Sequence, residues 1–414
     1  VFDDLCLSVY LWFQLPLSKE STKLMNIQSE AQALFEYTRE MRRDFHRHPE
    51  LGFQEFRTAG IVARELNELG LEVSTGVGQT GVVALLEGAN PGPTLLMRFD
   101  MDALPVTEET SAEYASLTPG LMHACGHDGH TAIGLSVARL LQSRREELAG
   151  TVKFVFQPAE EGLGGAEAMI ASGVLENPRP VLTLALHLWN ELPVGTFGIS
   201  PGPVMAASEA FQVRIQGRGG HGAAPHQTVD PVPAAAQVIT ALQSIVSREI
   251  PPLESAVLSV TSVQAGTTFN VIPEFVELKG TIRTFQPEVR ERVLDRFYQV
   301  VVGVSQAMGC QAEVEMKETT PAVVNDPQVA QRLQTVAERS FPAHTVESQY
   351  RTMISEDMAY MMQDIPGCYF FVGTANPGKA PVFAHHHPRF DVDEDALPGA
   401  VALLSSAAFE FLRS

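Results

Sequence analysis

The sequence predicts an α/β protein, with a mainly parallel-sheet α/β/α body and a smaller α+β unit inserted into it. Three observations lead there. Short apolar runs alternate with amphipathic helical stretches through the first half of the chain, and strands that are apolar on both faces and separated by helices belong in a parallel sheet. Near Met205 the order changes to β-α-β-β-α-β, a compact unit of the ferredoxin-like kind. After Pro321 the first pattern resumes. The expected parts are an N-terminal extension at 1–24, a main domain in two pieces at 25–204 and 319–414, and the inserted unit at 205–318.

Each element follows from local pattern. Ala33, Leu34, Tyr37, Met41 and Phe45 recur at three- and four-residue steps and predict a helix from Asn26 to Arg47. Ala59 to Leu69 reads as a second helix, closed by Gly70. Val82 to Leu86 and Thr94 to Arg98 read as strands, His130 to Arg145 as a long helix, and Val152 to Phe156 as a strand. Gly165 to Ser172 then reads as a helix and Val181 to Leu186 as a strand. In the inserted unit the alternation from Phe211 to Gln216 predicts a strand. A helix at Pro231 to Arg248, strands at Ala256 to Val263 and Val276 to Arg283, a helix at Pro287 to Met308 and a strand at Cys310 to Met316 complete it. Helices at Pro327 to Ser340 and Glu356 to Gln363, a strand at Cys368 to Val372 and a helix at Ala396 to Leu412 close the chain.

Composition narrows the function classes. The 414 residues suffice for two domains, and 45% hydrophobic with 19% charged residues is ordinary for a folded protein. The formal net charge of −20 repels a phosphate backbone, so nucleic acid is not an expected partner. Cys6, Cys125, Cys310 and Cys368 are widely spaced and form no disulfide framework, and Cys310 and Cys368 read as free thiols in a reducing compartment. No apolar run reaches the roughly 18–20 residues of a membrane span. The stretch from Leu5 to Leu17 follows two aspartates and lacks a small-residue cleavage site, so no secretory signal is expected. A cytoplasmic location is the resulting expectation, without membrane partners.

Several segments carry groups suited to chemistry. In Met122-His123-Ala124-Cys125-Gly126-His127-Asp128-Gly129-His130, thiolate and imidazole two positions apart are able to share one ion, and that donor pair suits zinc or a similar metal. The bland reading is a capping loop with exposed histidines. Gln157-Pro158-Ala159-Glu160-Glu161-Gly162 follows a predicted strand, where open α/β sheets bind ligands. One carboxylate there is able to ligate a metal while the other takes a proton from the activated water. A solvated acidic turn is the alternative. His187 ends a predicted strand, and His385-His386-His387-Pro388 precedes Arg389-Phe390-Asp391. Asp100 and Asp102, at another strand end, either orient ligating imidazoles or cap a turn. In the inserted unit the glycine-rich stretch Gly217 to His226 lacks the phosphate-loop pattern, and better suits a flexible loop presenting His221 to a neighbouring cleft.

Taken together these residues resemble the M20 metallopeptidase superfamily, in its branch of hippurate hydrolases, N-acyl-amino-acid amidohydrolases and plant indole-acetyl-amino-acid hydrolases. The similarity runs from about Ala33 to the C-terminus. It includes His48-Pro49-Glu50-Leu51, Asp100 to Pro105, Met122 to His130, Gln157 to Gly162, His187, Gly219 to His226, Phe269-Asn270-Val271-Ile272-Pro273, Gly280-Thr281-Ile282-Arg283, Ser355-Glu356-Asp357 and His386 to Glu394. The resemblance implies a metal-dependent amidohydrolase that cleaves N-acyl amino acids through metal-activated water. It implies Cys125, His127, Glu161, His187 and His386 as ligands of two divalent cations, His386 being chosen among three histidines by a His-x-Pro pattern. Zinc, cobalt and nickel suit the thiolate, with manganese also admitted. It implies Glu160 as general base, Asn270 and Arg283 near the substrate carboxylate, and His221 on a substrate oxygen in the partner subunit's site. The inserted unit would then be a lid that forms a homodimer. Ile354, Met358, Phe99 and Leu163 depart from the family's usual residues and bear on the acyl pocket. The rival readings are a dipeptidase or carboxypeptidase on the same scaffold, a non-catalytic metal binder, and a hydrolase with Cys125 as nucleophile.

Overall fold

A computed structural model of the chain describes residues 19–412. The stretch from Leu5 to Leu17, Cys6 and most of the expected extension lie outside them. Among the described residues eight strands form the main sheet, in the order Glu72–Val77, Gly81–Glu87, Ala149–Gln157, Asn90–Asp100, Leu182–Pro193, Gly367–Ala375, Thr196–Gly198 and Thr345–Glu347. Its central pairs are parallel, and an antiparallel hairpin closes one edge. Successive residues of the central strands enter opposite cores, as a period of two requires. Leu95, Met97 and Phe99 face one core and Leu96 the other. In the parallel register Asp100 stands opposite Gln157, so the loops carrying Asp102 and Glu160 leave the sheet side by side.

The helix His127–Ser143 is buried along almost its whole length. Gly134 permits this, since a side chain there would stand 2.8 Å from the rings of Phe99 and Phe156. That approach seats the N-terminus of the helix over the carboxyl ends of the strands.

The residues after Met205 build a second sheet in the order Ala256–Ala265, Phe275–Thr284, Ala207–Gln216 and Gln311–Thr320, antiparallel throughout. Helices Pro231–Ser244 and Pro287–Ala307 pack on it around Phe211, Val213, Leu242, Leu278 and Phe297, a core separate from those of the main sheet. The chain then returns to the main sheet, where Gly367–Ala375 lies beside Leu182–Pro193. Among the described residues no helix is long and apolar enough to cross a membrane, and Cys125, Cys310 and Cys368 are free.

Several sequence expectations need correction. The helix expected from Asn26 to Arg47 is two helices, Lys19–Ala33 and Phe35–Arg47, broken at Leu34. They have different partners: the first packs on Leu397–Phe411 and the second on His127–Ser143. The first also runs across residue 24, where the extension was expected to end. His187 does not end its strand, because pairing with Gly367–Ala375 continues past His187 opposite Phe371 to Trp189 opposite Gly373. The helix expected from Glu356 contracts to Met358–Met362, since the Glu356 and Asp357 carboxylates turn to Arg98. The helix from Pro231 is regular only to Ser244 and ends in a widened π turn at Ile245–Glu249.

Candidate metal centre

Four stretches of backbone meet above the carboxyl ends of the central strands. Gly126, at φ 95°, turns the chain into the helix starting at His127 and leaves Cys125 on its rim. Glu160 and Glu161 follow the strand Ala149–Gln157, and His187 rises from Leu182–Pro193. His386 sits at φ 66°, held by its amide to the Ala124 carbonyl at 2.7 Å.

The side chains fall into overlapping groups whose donor atoms lie within 4.8 Å of one another: Cys125 with His127 and His187, Cys125 with Glu161 and His386, and His127 with Glu160 and Glu161. Cys125 Sγ is 3.4 Å from His187 Nε2, and Glu161 Oε1 is 3.2 Å from His386 Nε2. His127 Nε2 is buried and makes no hydrogen bond among the described residues, with Asp100 Oδ2 3.7 Å away. Buried polar atoms are normally satisfied, so this nitrogen fits a metal ligand.

Hydrogen bonds behind the cluster orient its imidazoles. His127 Nδ1 donates to the Asp102 carbonyl at 3.0 Å, with Asp102 Oδ1 at 3.2 Å, which leaves Nε2 as the nitrogen that gives up its proton to a metal. His187 Nδ1 donates to the Leu188 carbonyl at 2.8 Å, which leaves a lone pair on Nε2. His130 is fully engaged, Nδ1 donating to Asp100 at 2.5 Å and Nε2 accepting from the Leu188 amide at 2.9 Å. Of the three tandem histidines only His386 joins a donor group. His385 Nε2 donates to the Leu188 carbonyl at 3.0 Å and its ring stacks on Trp189, while His387 stacks on Phe383. His123 is buried in none of these groups.

The electrostatics suit a cation. Burial, then the carboxylates of Glu161, Glu160 and Asp100, push the Cys125 thiol well above its usual range. Burial pulls His127 down, but Asp100, and after it Asp102 and Glu161, outweigh burial and hold the imidazole at about 10. Burial, His130 and His385 hold His187 well below the usual imidazole range. Below the cluster the buried Arg98 guanidinium donates to Gln157 at 2.8 Å, Asp100 at 2.5 Å, Glu356 at 2.8 Å and Asp357 at 3.1 Å. Glu160 is raised well above its usual range by burial, then by Glu356, Glu161 and Asp357. Thiolate, imidazole and carboxylate donors match the chemistry of zinc and its neighbours.

A cleft of about 370 Å³ opens onto the cluster, walled also by Trp189, Met205, Met353 and Ile354, with Arg283, Thr319 and Thr320 from the second sheet. Arg283 therefore lines the same cleft as the cluster. His221 and Asn270 do not line this cleft; they sit on an exposed two-stranded ribbon where His221 pairs with Val271. Of the four departures from the family pattern only Ile354 lines the cleft. Phe99 and Met358 are buried in the cores, and Leu163 is exposed elsewhere. Sequence reasoning missed the roles of Arg98, Glu356, Asp357 and His385, of which Glu356-Asp357 lay in a quoted motif and His385 in the histidine run.

Residues 96–410 match the model of the peptidase family M20/M25/M40. N-acetylcysteine deacetylase of Bacillus subtilis is 42% identical over 86% of this chain and 92% of its own length. Thermostable carboxypeptidase 1 of Saccharolobus solfataricus is 38% identical over 91% of this chain and 96% of its own. The crystal structure of the Bacillus subtilis YXEP protein, described as a dinuclear metal binding peptidase from the M20 family, superposes with a TM-score of 0.80 at 37% identity, covering 92% of this chain and 99% of that one. On the family match, these identities and the shared fold, the chain belongs to the M20/M25/M40 peptidase family.

Proposed function

We propose that this chain is a metal-dependent amidohydrolase that cleaves N-acyl amino acids into a carboxylic acid and a free amino acid. The observation that carries the reading is the group of oriented, cation-seeking donors beside a carboxylate able to act as base. Cys125, His127, Glu161, His187 and His386 would hold two divalent cations, zinc foremost. When bound, such cations supply a Lewis acid toward the scissile carbonyl and lower the pKa of water.

The protein's own groups supply the rest. Glu160, raised by burial and its acidic neighbours, has the basicity to take a proton and pass it to the leaving amine nitrogen. Arg283 offers its guanidinium to the substrate carboxylate, on the far side of the cleft from the main sheet. Trp189, Met205, Met353 and Ile354 form an apolar wall for the acyl group. His221 Nδ1 accepts from the Ala223 amide at 3.0 Å, so Nε2 carries the proton and serves as donor to the developing oxyanion, a role often worth about 3 kcal/mol. Since His221 and Asn270 stand on an exposed ribbon, both enter the cleft of a second subunit, in a homodimer formed through the inserted unit. A cytoplasmic setting, which keeps the Cys125 thiol reduced, belongs to the same proposal.

The deacetylase relative supports acyl transfer from an amino acid, and the carboxypeptidase relative keeps peptides as a second substrate class. A panel of hippurate, N-acetyl-methionine, indole-acetyl-alanine and a free dipeptide separates them. The expected result is release of free amino acid from the acyl substrates, abolished by chelation and restored by added Zn²⁺ or Mn²⁺. Release from the dipeptide alone would favour the peptidase, and chelator-resistant activity would sink the metal reading.

A further inference from the structure

The reading above leaves His48-Pro49-Glu50-Leu51 unused, yet the turn it opens touches both acidic loops of the site. The Glu50 carboxylate caps the helix Phe56–Glu68, accepting from the amides of Arg57 at 2.9 Å and Thr58 at 2.8 Å. The Glu50 carbonyl accepts from the Ala103 amide at 2.8 Å, which ties the turn to the segment carrying Asp102. Gly52 lies against the other loop so closely that a side chain on it would stand 2.9 Å from Ala159 Cα. Glu55, fully buried, accepts from the Ala159 amide at 2.9 Å with one oxygen and from the Thr80 hydroxyl with the other.

Ala159 is the critical point. It is buried, it directly precedes Glu160, and it sits at φ 55°, where residues with a side chain are strained. Such a conformation persists only when its surroundings impose it. Glu55 grips the amide before the acidic pair, and Asp102 Oδ2 accepts from the Glu161 amide at 3.0 Å within it. Asp102 also orients His127. The backbone of the acidic pair is thus pinned at two amides by two carboxylates from different parts of the chain.

We infer that Glu55 is a positioning residue: by holding Ala159 in its left-handed conformation it sets where Glu160 and Glu161 point. The inference rests on the hydrolytic reading of that pair for its kinetic consequence, and on geometry alone for its effect on metal affinity and loop order.

The test compares Glu55→Gln, Glu55→Ala and Glu55→Asp in the full chain. Glutamine retains an acceptor for the Ala159 amide and is able to donate to Thr80. Alanine loses both bonds, and aspartate, one methylene shorter, loses its reach to Ala159 and serves if the alanine variant does not fold. For alanine or aspartate the expected result is Zn²⁺ affinity about tenfold weaker by calorimetric titration and faster amide exchange confined to residues 158–162. On the best acyl substrate kcat is expected to fall about 100-fold with KM little changed, and glutamine should stay near wild type in all three. Adding Ala159→Gly, which adopts positive φ unaided, is expected to recover part of the loss, a response that a general structural role for Glu55 would not give. If wild type hydrolyses nothing, the hydrolytic reading fails while titration and exchange still decide the placement. Unchanged affinity and exchange in the alanine and aspartate variants would overturn the inference.

Discussion

Replacing Arg98 by methionine keeps most of the side-chain volume and removes the cation facing Asp100, Glu356 and Asp357. The guanidinium is 1% exposed and donates to all three carboxylates and to Gln157, so no water is at hand to replace it. Breaking a buried ion pair from one side costs about 3–5 kcal/mol, because the partner charge stays buried. Here three partners remain, which puts the expected loss at the upper end of that range. Its pH dependence has a definite sign. Burial raises Asp100, but His127, His130 and then Arg98 outweigh it and hold the carboxyl well below its usual range. Asp357 is already raised by burial, with Arg98 pulling down and Glu356 pushing up. Without Arg98 these folded-state values rise, and a carboxyl whose folded pKa lies above its unfolded one penalises the fold at high pH and releases the penalty as protons bind. The loss should therefore be greatest at pH 8 and smaller at pH 5.5 by about 1.5 kcal/mol or more. The assay is urea unfolding of metal-stripped Arg98→Met and wild type at both pH values. A loss under about 1 kcal/mol at pH 8, or an equal loss at both, would refute the reasoning.

Three further predictions follow from the site and its supports. With Cys125 raised well above its usual range and His127 held at about 10, both carry protons at pH 7.5 in the metal-free protein. Metal binding is expected to release about two protons, read by calorimetric titration in buffers of different ionisation enthalpy, and release of fewer than one would contradict the ligand assignment. Burial lowers His46, but Asp128 and then Glu108 outweigh it and hold the imidazole at about 9 rather than 6.5. The stability it contributes is complete below 6.5 and lost as pH rises through about 9. The wild-type minus His46→Gln difference should shrink by up to about 3 kcal/mol between pH 6 and 10; a flat difference would rule this out. Ile354→Gly enlarges the cleft at its apolar wall and is expected to shift kcat/KM toward bulkier acyl groups by about tenfold, and equal preference before and after would remove Ile354 from the acyl wall.

What the sequence revealed and what it hid divide along physical lines. The central strands were legible because both faces are apolar, and a strand of the second sheet because Phe211 to Gln216 alternates cleanly. Glu72–Val77 was not, since an edge strand with exposed residues carries no apolar pattern. The start of the helix at His127 rather than His130 was hidden because Gly126 supplies the turn through its backbone, not through a capping side chain. The break at Leu34 depends on two packing partners far away in sequence. At the site, the donor types were visible in clustered motifs, and the resemblance supplied their assignment. Which histidine of 385–387 faces Glu161 was not readable from spacing, since it depends on a single left-handed residue. Arg98 looked like the end of a strand and Glu55 carried no signal, because Ala159, Glu356 and Asp357, which pair with them, lie more than a hundred residues away.

The most direct test of the account is the turnover of Glu160→Ala, measured on the best acyl substrate together with its bound metal by elemental analysis. With Cys125, His127, Glu161, His187 and His386 as the proposed ligands, full metal content is expected, with a fall in kcat of about 10³-fold or more. Wild-type turnover in a variant that keeps its metal would mean that Glu160 is not the base, and loss of metal along with activity would mean that it is a ligand.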